Sequence, residues 1–171
     1  ALRIQLERKL NTPMTSSMGR LFDPAAALAG GRQSVNYEAQ GAIEFEALAD
    51  EAEVGNYSFC NEQAQITLRN GILSILKDVH DNIPAPIISA KFHNGIAKMV
   101  VEVCVSLREK SGVNTVALSG GVWQNIFLLE RTLAGLRRNN FEILIHHQVP
   151  ANDGGLALGQ AAIAAWKLKQ I

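Results

Sequence analysis

Two pairs of adjacent glycines are the residues best suited to chemistry, because each lies where a predicted strand passes into a predicted helix. Gly120 and Gly121 lie in the sequence VALSGGVWQN, and Gly154 and Gly155 lie in VPANDGGLALGQ. Glycine lets a backbone approach a ligand closely and tolerates positive φ. A helix start adds unpaired amide N–H groups and the positive end of the helix dipole. Two such junctions predict a nucleotide or another phosphoanhydride between them.

The first junction also contains Asn125, which offers an amide side chain. Leu118 is predicted to end a buried strand, and ligands of open α/β sheets bind outside the carboxyl ends of the strands. We expect Asn125 one turn into the following helix, where its amide reaches the same ligand. The spacing matches neither the P-loop nor the dinucleotide fingerprint. A tight turn between strand and helix accounts for the glycines equally well, so both interpretations stay open.

Asp153 is the candidate side chain of the second junction. A carboxylate at a helix start most often caps the helix by accepting hydrogen bonds from its first amides. The alternative is a metal ligand, because aspartate oxygen suits hard or borderline divalent ions. A single aspartate makes no metal site, so this second interpretation requires ligands from elsewhere.

The 4 histidines offer no metal-binding pair among themselves. His146 and His147 are adjacent on a predicted strand and point to opposite faces, and His80 ends a polar helix. His93 follows Phe92 near a helix start, a setting more typical of a structural histidine. The sequence contains neither His-x-x-x-His nor His-Glu-x-x-His, and no nucleophile elbow. We therefore predict no catalytic residue within this chain.

Composition limits the classes of partner. The 171 residues are 47% hydrophobic, and Lys+Arg and Asp+Glu number 16 each. A net charge near zero argues against nucleic-acid or membrane-surface binding through bulk charge, and no apolar run has the length of a membrane span. Cys60 and Cys104 lack CxxC spacing, so we expect unpaired thiols and a cytoplasmic protein. The chain opens within an amphipathic helix and without Met, which indicates a fragment of a longer protein.

The hydrophobic pattern predicts two unequal parts, a helical segment over residues 1–55 and an α/β lobe over residues 56–171. Helices of the first part are predicted over the opening residues, 17–29 and 37–52. The lobe is predicted to contain, in order, a hairpin (57–60 and 65–68), helices 71–79 and 86–111, strand 115–118, helix 122–139, strand 142–146, and a final helix to residue 169. The alternation of strand and helix at the end of the chain implies parallel neighbours.

Five segments in this order closely resemble the HypF family, the carbamoyltransferases of nickel–iron hydrogenase maturation. They read TSSMGRLFD (15–23), YEAQ (37–40), FHN (92–94), ALSGGVWQN (117–125) and VPANDGGLALGQ (149–160). The resemblance covers nearly the whole chain and is to the C-terminal part of the family's Kae/TsaD-like domain. It implies one lobe of an actin/Hsp70-like (ASKHA, ribonuclease H-like) ATPase fold, a mixed sheet flanked by helices, within a larger multidomain protein.

The resemblance also implies a role for particular residues. Contacts to ATP or to a carbamoyl-adenylate fall on Asp23, Ser119, Gly120, Gly121 and Asn125. Asp153 matches the aspartate that completes a site for a divalent metal, which can be iron, zinc or magnesium, with two histidines that lie outside this chain. One departure is Ala39, where the family usually has glycine. The alanine Cβ argues against a close approach of the backbone to a ligand at that position.

The activity that the resemblance implies is carbamoyl transfer. Carbamoyl phosphate and ATP give a carbamoyl-adenylate in another domain, and the carbamoyl group passes to the C-terminal cysteine of a HypE-like protein as the precursor of cyanide ligands. Because the nucleophile arrives on the partner, none is needed here. An O-carbamoyltransferase, a tRNA threonylcarbamoyl transferase and a non-catalytic nucleotide-binding or interaction lobe remain alternatives. We expect the isolated chain to be inactive, since the upstream domains of the same polypeptide are needed.

Overall fold

The structure, a computed structural model, describes residues 2–13, 15–62 and 65–170, and it confirms the predicted α/β class. The helices are α1 (Leu2–Arg8), α2 (Gly19–Leu28), α3 (Gln40–Ala47), α4 (Arg69–His80), α5 (Ala85–Ser111), α6 (Ile126–Arg138) and α7 (Leu156–Leu168). The strands are β1 (Cys60–Glu62), β2 (Gln65–Thr67), β3 (Thr115–Leu118) and β4 (Glu142–Ile145), and short 3-10 turns cover Gly121–Gln124 and Asp153–Gly155.

The strands pair as two separate two-stranded sheets in the described part of the chain. A hairpin is present and antiparallel, with Cys60 opposite Thr67. Its first strand is Cys60–Glu62, so the predicted range of 57–60 is wrong except for Cys60. Residues 63 and 64, between the strands, lie outside the described residues. β3 and β4 are parallel, as predicted, and end together with Leu118 opposite Ile145. The prediction that β4 includes His146 is wrong by one residue. The residues that follow β3 and β4 therefore start from the same edge.

Helix α3 is shorter than the predicted range of 37–52. Ala39 precedes it with φ of 61° in the left-handed region, which costs a residue with a Cβ more than it costs glycine. Glycine would adopt this conformation at lower cost than Ala39 does. After the helix, the carboxylate of Asp50 accepts a hydrogen bond from the amide of Ala52 at 2.9 Å. Such a local side-chain bond competes with helix continuation.

The main core surrounds the long helix α5, whose Phe92 is fully buried. The rings of Phe22, Phe45 and Phe59 lie 5.0, 5.7 and 5.8 Å from the ring of Phe92 between centroids. Each aromatic pair of this kind contributes about 0.5–1.5 kcal/mol beyond the area it buries. Residues from both predicted parts contribute to this core, and the boundary between residues 55 and 56 stays a prediction.

A second core lies between the parallel strands and α6, formed by Leu118, Leu133, Leu136 and Phe141. Helix α6 also packs closely on α5, because a Cβ added at Gly135 would lie 2.7 Å from Val101 Cγ2. Helix α6 is therefore fixed from two sides, and its N-terminus is held in a defined place beside the sheet edge.

Helix α7 differs from the other long helices, because none of its side chains is buried. Its small residues predict close packing on a sheet or helix, but in the structure Trp166 is 62% exposed and Leu168 is 73% exposed. None of the helices in the described ranges has the length and apolar character needed to cross a membrane.

Candidate functional site

The two glycine junctions meet at the carboxyl edge of the parallel strand pair. The amide N–H of Gly120 donates to the carbonyl oxygen of Ala151 at 2.8 Å. Further along the two segments, the Asn152 side-chain amide donates to Gln124 Oε1 at 3.2 Å, and a Cβ added at Gly121 would lie 3.9 Å from Asn152 Cβ. The two motifs that were separate in sequence thus form one continuous surface.

Gly120 determines the shape of the first junction. Its φ of 108° and ψ of 159° lie in a region that is essentially restricted to glycine. The backbone then turns through the 3-10 segment Gly121–Gln124 before α6 begins at Ile126. Within the described part of the chain, the amides of Gly121 and Val122 have no hydrogen-bond acceptor. These two N–H groups are free to donate to a bound anion.

Asn125 is the N-cap of α6, and the prediction that it lies one turn into the helix is wrong. The predicted helix start at Val122 falls within the 3-10 segment Gly121–Gln124, and α6 begins only at Ile126. Its Oδ1 accepts a hydrogen bond from the amide of Leu128 at 2.8 Å, and its Nδ2 lies 2.9 Å from Nε2 of His93. The side chain is therefore held at both ends.

The first amides of α6 are not open to a ligand, contrary to the prediction for a helix start. Glu46 of α3 accepts hydrogen bonds through Oε1 from the amides of Ile126 at 2.5 Å and Phe127 at 3.2 Å. Its carboxylate thus lies at the positive end of the α6 dipole, where a negative charge is stabilising. The amides available to an anion belong to the 3-10 segment instead.

His93 is fully buried beneath this junction. Its Nδ1 donates to the carbonyl oxygen of Ser89 at 2.8 Å, and the rings of Phe22, Phe45 and Phe127 lie 5.3, 5.6 and 5.4 Å away between centroids. Burial among these rings lowers the pKa of His93 to about 4. The prediction of a structural histidine is confirmed, and its contact with Asn125 is an addition that the sequence did not indicate.

Asp153 does not cap the second junction, so that interpretation is wrong. The cap of the turn Asp153–Gly155 is Asn152, whose Oδ1 accepts a hydrogen bond from the amide of Gly154 at 3.0 Å. The Asp153 carboxylate is exposed and, in the described ranges, has no hydrogen-bond or ion-pair partner. It can supply one oxygen ligand to a metal, and no group of three or more His, Cys, Asp or Glu in those ranges could complete such a site.

Ser119 and His146 form a contact that the sequence analysis missed. The Ser119 hydroxyl lies 3.0 Å from His146 Nε2, and both residues are exposed. Each follows the last residue pair of the parallel sheet, Leu118 opposite Ile145. Two parallel strands of equal length place the residues that follow them side by side, and this could have predicted the contact. The prediction did not use it, because it assigned His146 to the strand itself.

Asp23 lies on α2, exposed on the side of that helix that approaches α3. Its Oδ1 is 3.5 Å from the position of a Cβ added at Gly41. The preceding residue, Phe22, packs against His93, which links α2 to the first junction through the core. Two surface grooves of about 410 and 790 Å³ flank α6, and neither is lined by a predicted site residue.

The fold and the paired junctions define a class of protein. Residues 1–160 match the family model described as "Carbamoyltransferase, Kae1-like Domain, second subdomain", and the chain belongs to this family. It is 33% identical to carbamoyltransferase HypF of Synechocystis sp. over 91% of the chain. It is 38% identical to carbamoyltransferase HypF of Rhizobium leguminosarum bv. viciae over 90% of the chain. The chain spans 20% of the length of each of these relatives.

Two solved structures have the same fold. Full-length HypF in the phosphate- and nucleotide-bound form is 40% identical with a TM-score of 0.88, covering 98% of this chain and 23% of that one. HypF of T. kodakarensis is 27% identical with a TM-score of 0.83, covering 98% of this chain and 22% of that one. The predicted resemblance and the fold class are therefore confirmed.

Proposed function

We propose that this chain forms the nucleotide-binding lobe of a carbamoyltransferase that uses a carbamoyl-adenylate made from carbamoyl phosphate and ATP. The observation that carries the proposal is the bond between Gly120 and Ala151, which joins the two junctions next to the amides of Gly121 and Val122. Those two amides have no acceptor among the described residues. The similarity to a HypF structure described as phosphate- and nucleotide-bound supports a nucleotide as the ligand. A cytoplasmic location is part of this proposal.

In this proposal the lobe binds the adenylate while the nucleophile comes from another protein. The amides of Gly121 and Val122 donate to the phosphate oxygens, and Ser119, Asn125 and Asp23 contact the nucleotide. The cysteine thiolate of a HypE-like acceptor attacks the carbamoyl carbon, the bond from that carbon to the phosphate oxygen breaks, and AMP leaves with the electron pair. Preorganised donors around the phosphate stabilise the charge that develops on it.

Asp153 is proposed as one ligand of a divalent metal, with two histidines supplied by the preceding part of the polypeptide. Its exposed carboxylate beside the junction fits this role, because nothing in the described ranges neutralises it. When bound, the metal would supply Lewis-acid polarisation of the carbamoyl or phosphoryl oxygen. Asp153 would hold it at the same edge as the unpaired amides.

The test is calorimetric titration of the full-length polypeptide with ATP and a divalent ion, for the wild type, Asp153→Ala and Glu109→Ala. Glu109 is an exposed carboxylate on α5 and serves as the control for loss of one negative charge. We expect the wild type to bind ATP and the divalent ion, and Glu109→Ala to bind them with the same affinity. We expect the metal-dependent binding to be weaker in Asp153→Ala. Unchanged metal-dependent binding in Asp153→Ala would remove the metal-ligand assignment.

The transfer step is tested separately with labelled carbamoyl phosphate, ATP and a HypE-like acceptor. We expect label on the acceptor, and none on an acceptor whose C-terminal cysteine is replaced by serine. ATP binding without transfer would favour the non-catalytic lobe. Transfer by the 171 residues alone would refute the requirement for the rest of the polypeptide.

A further inference from the structure

We propose that His93 is a positioning residue of the nucleotide site, because its imidazole holds the amide of Asn125 so that one N–H of that amide remains for the nucleotide. This inference rests on the proposed function, in which Asn125 contacts the nucleotide. His93 itself lies in the core and does not touch the ligand.

The sense of every hydrogen bond in this chain of groups is determined. The amide of Leu128 can only donate, so the atom of Asn125 that it contacts is the oxygen, Oδ1. The NH₂ group of Asn125 therefore points at His93, and because NH₂ only donates, His93 Nε2 is the acceptor. At the other side of the ring the Ser89 carbonyl only accepts, so Nδ1 carries the proton. A single neutral tautomer satisfies all three contacts.

The surroundings keep that tautomer in place. His93 is fully buried and is flanked by the rings of Phe22, Phe45 and Phe127. A protonated ring would lack the acceptor that Asn125 needs, and burial makes the charged form unfavourable. Nε2 therefore remains an acceptor at neutral pH, which the pKa of about 4 supports.

Asn125 retains one unused donor. An Asn NH₂ group has two hydrogens, and within the described residues one is directed to His93 and the other has no acceptor. The side chain is only half-buried and adjoins the segment in which the amides of Gly121 and Val122 are also unpaired. The free N–H of Asn125 is therefore a third donor beside two backbone donors.

Capping of α6 does not by itself require the contact to His93. Oδ1 of Asn125 satisfies the amide of Leu128, and Glu46 satisfies the amides of Ile126 and Phe127. Without His93 the cap would still be complete, but the NH₂ group would be free to rotate with the side chain. The additional bond therefore acts on the orientation of the donor rather than on the helix end.

The experiment measures ATP affinity by calorimetry in the full-length polypeptide for the wild type, His93→Leu and His93→Gln. Glutamine can donate to the Ser89 carbonyl or accept from Asn125 as a neutral amide, whereas leucine fills the space without an acceptor. We expect His93→Leu to raise the Kd for ATP about tenfold, the effect of losing one hydrogen bond. We expect His93→Gln to stay within about threefold of the wild type by the same reasoning.

Two controls separate positioning from loss of stability. Ile75→Ala removes buried volume from the same core on α4 and should lower the melting temperature without changing the Kd. In an Asn125→Ala background, His93→Leu should have no further effect on the Kd, because the two residues act through one contact. If His93→Leu does not fold, His93→Asn, whose amide is too short to reach Asn125, takes its place.

A wild-type Kd in His93→Leu would overturn the inference, and so would a full additional effect in the Asn125→Ala background. The proposed function fails in a different way, since Asn125→Ala itself would then leave the ATP affinity of the full-length polypeptide unchanged, whereas failure of the inference alone leaves Asn125→Ala weakened and His93→Leu at the wild-type Kd.

Discussion

The amide N–H of Gly120 donates to the carbonyl oxygen of Ala151 across 2.8 Å. This bond connects the segment after β3 to the segment after β4, and its two residues are 31 positions apart in the sequence. The bond places both glycine pairs at one edge of the sheet. A change in the backbone conformation of Gly120 would therefore alter both junctions.

Gly120→Ala should weaken ATP binding in the full-length polypeptide. A Cβ at φ of 108° is strained by about 1–3 kcal/mol, and relief of that strain would turn the amides of Gly121 and Val122 away from the ligand. Gly112→Ala is the matched control, because Gly112 also has positive φ and open space around it but ends α5 away from the site. Both variants should be less stable, and only Gly120→Ala should bind ATP more weakly. Equal ATP affinities would contradict the role of Gly120.

Glu46→Ala should destabilise the fold by about 1–2 kcal/mol, the usual cost of a lost helix cap. The carboxylate that satisfies the amides of Ile126 and Phe127 comes from α3, so its loss also weakens the attachment of α3 to α6. The stability of Glu46→Gln should fall between those of the wild type and Glu46→Ala, since glutamine keeps the hydrogen bonds and loses the charge. Urea denaturation of the three proteins provides the measurement, and a stability of Glu46→Ala equal to that of wild type would contradict it.

The free energy of unfolding should decrease as the pH falls from about 6.5 to about 4. The pKa of His93 is lowered to about 4 in the folded state by burial, against about 6.5 in the unfolded chain. Between these values the unfolded state binds the extra proton, so stability is full above 6.5 and is lost on acidification. The loss attributable to His93 is roughly 2 kcal/mol at pH 5.

Urea denaturation at pH 7.5 and pH 5 tests this dependence, with His93→Gln as the control. The variant has no titrating ring, so the difference between the two pH values should be smaller in it by the contribution of His93. All other ionisable groups are the same in both proteins, so their contributions cancel in the comparison. The same pH dependence in both would show that His93 is not the group responsible.

Thr132→Val should increase the free energy of unfolding by about 1 kcal/mol. Thr132 is fully buried in α6, and among the described residues its hydroxyl has no hydrogen-bond partner. An unpaired buried hydroxyl is unfavourable by about 1–3 kcal/mol, and valine has nearly the same shape. Thr115→Val, where the hydroxyl donates to Glu142 at 2.7 Å on the exposed side of β3, should give no gain. Destabilisation of Thr132→Val in thermal denaturation would contradict the prediction.

Local patterns predicted the elements well where burial follows a simple period. In α5 the buried residues Ile88, Phe92 and Ile96 recur every four positions, which is close to the helical period of about 3.6 residues. Gly112 ends the helix with φ of 72° as its sequence position indicated. The parallel pair was likewise predictable, because strand and helix alternate around it.

The details of the site were not predictable, because they depend on contacts between distant segments. The apolar pattern of α6 gave no sign that Gly121–Gln124 would form a separate 3-10 turn, which directly follows the tertiary bond of Gly120. Glu46 lies 80 residues from Ile126, and His93 lies 32 residues from Asn125. No local pattern carries information on pairs so far apart, although each residue type was suited to its role.

Helix α7 buries none of its side chains, so it can unfold locally while the rest of the structure stays folded. Both hydrophobic cores are built entirely from residues that precede it. The free energy needed to unwind α7 in this chain is therefore small and independent of the free energy of global unfolding. In this chain the amide hydrogens of α7 should exchange with solvent long before those of α5, as a separate cooperative unit.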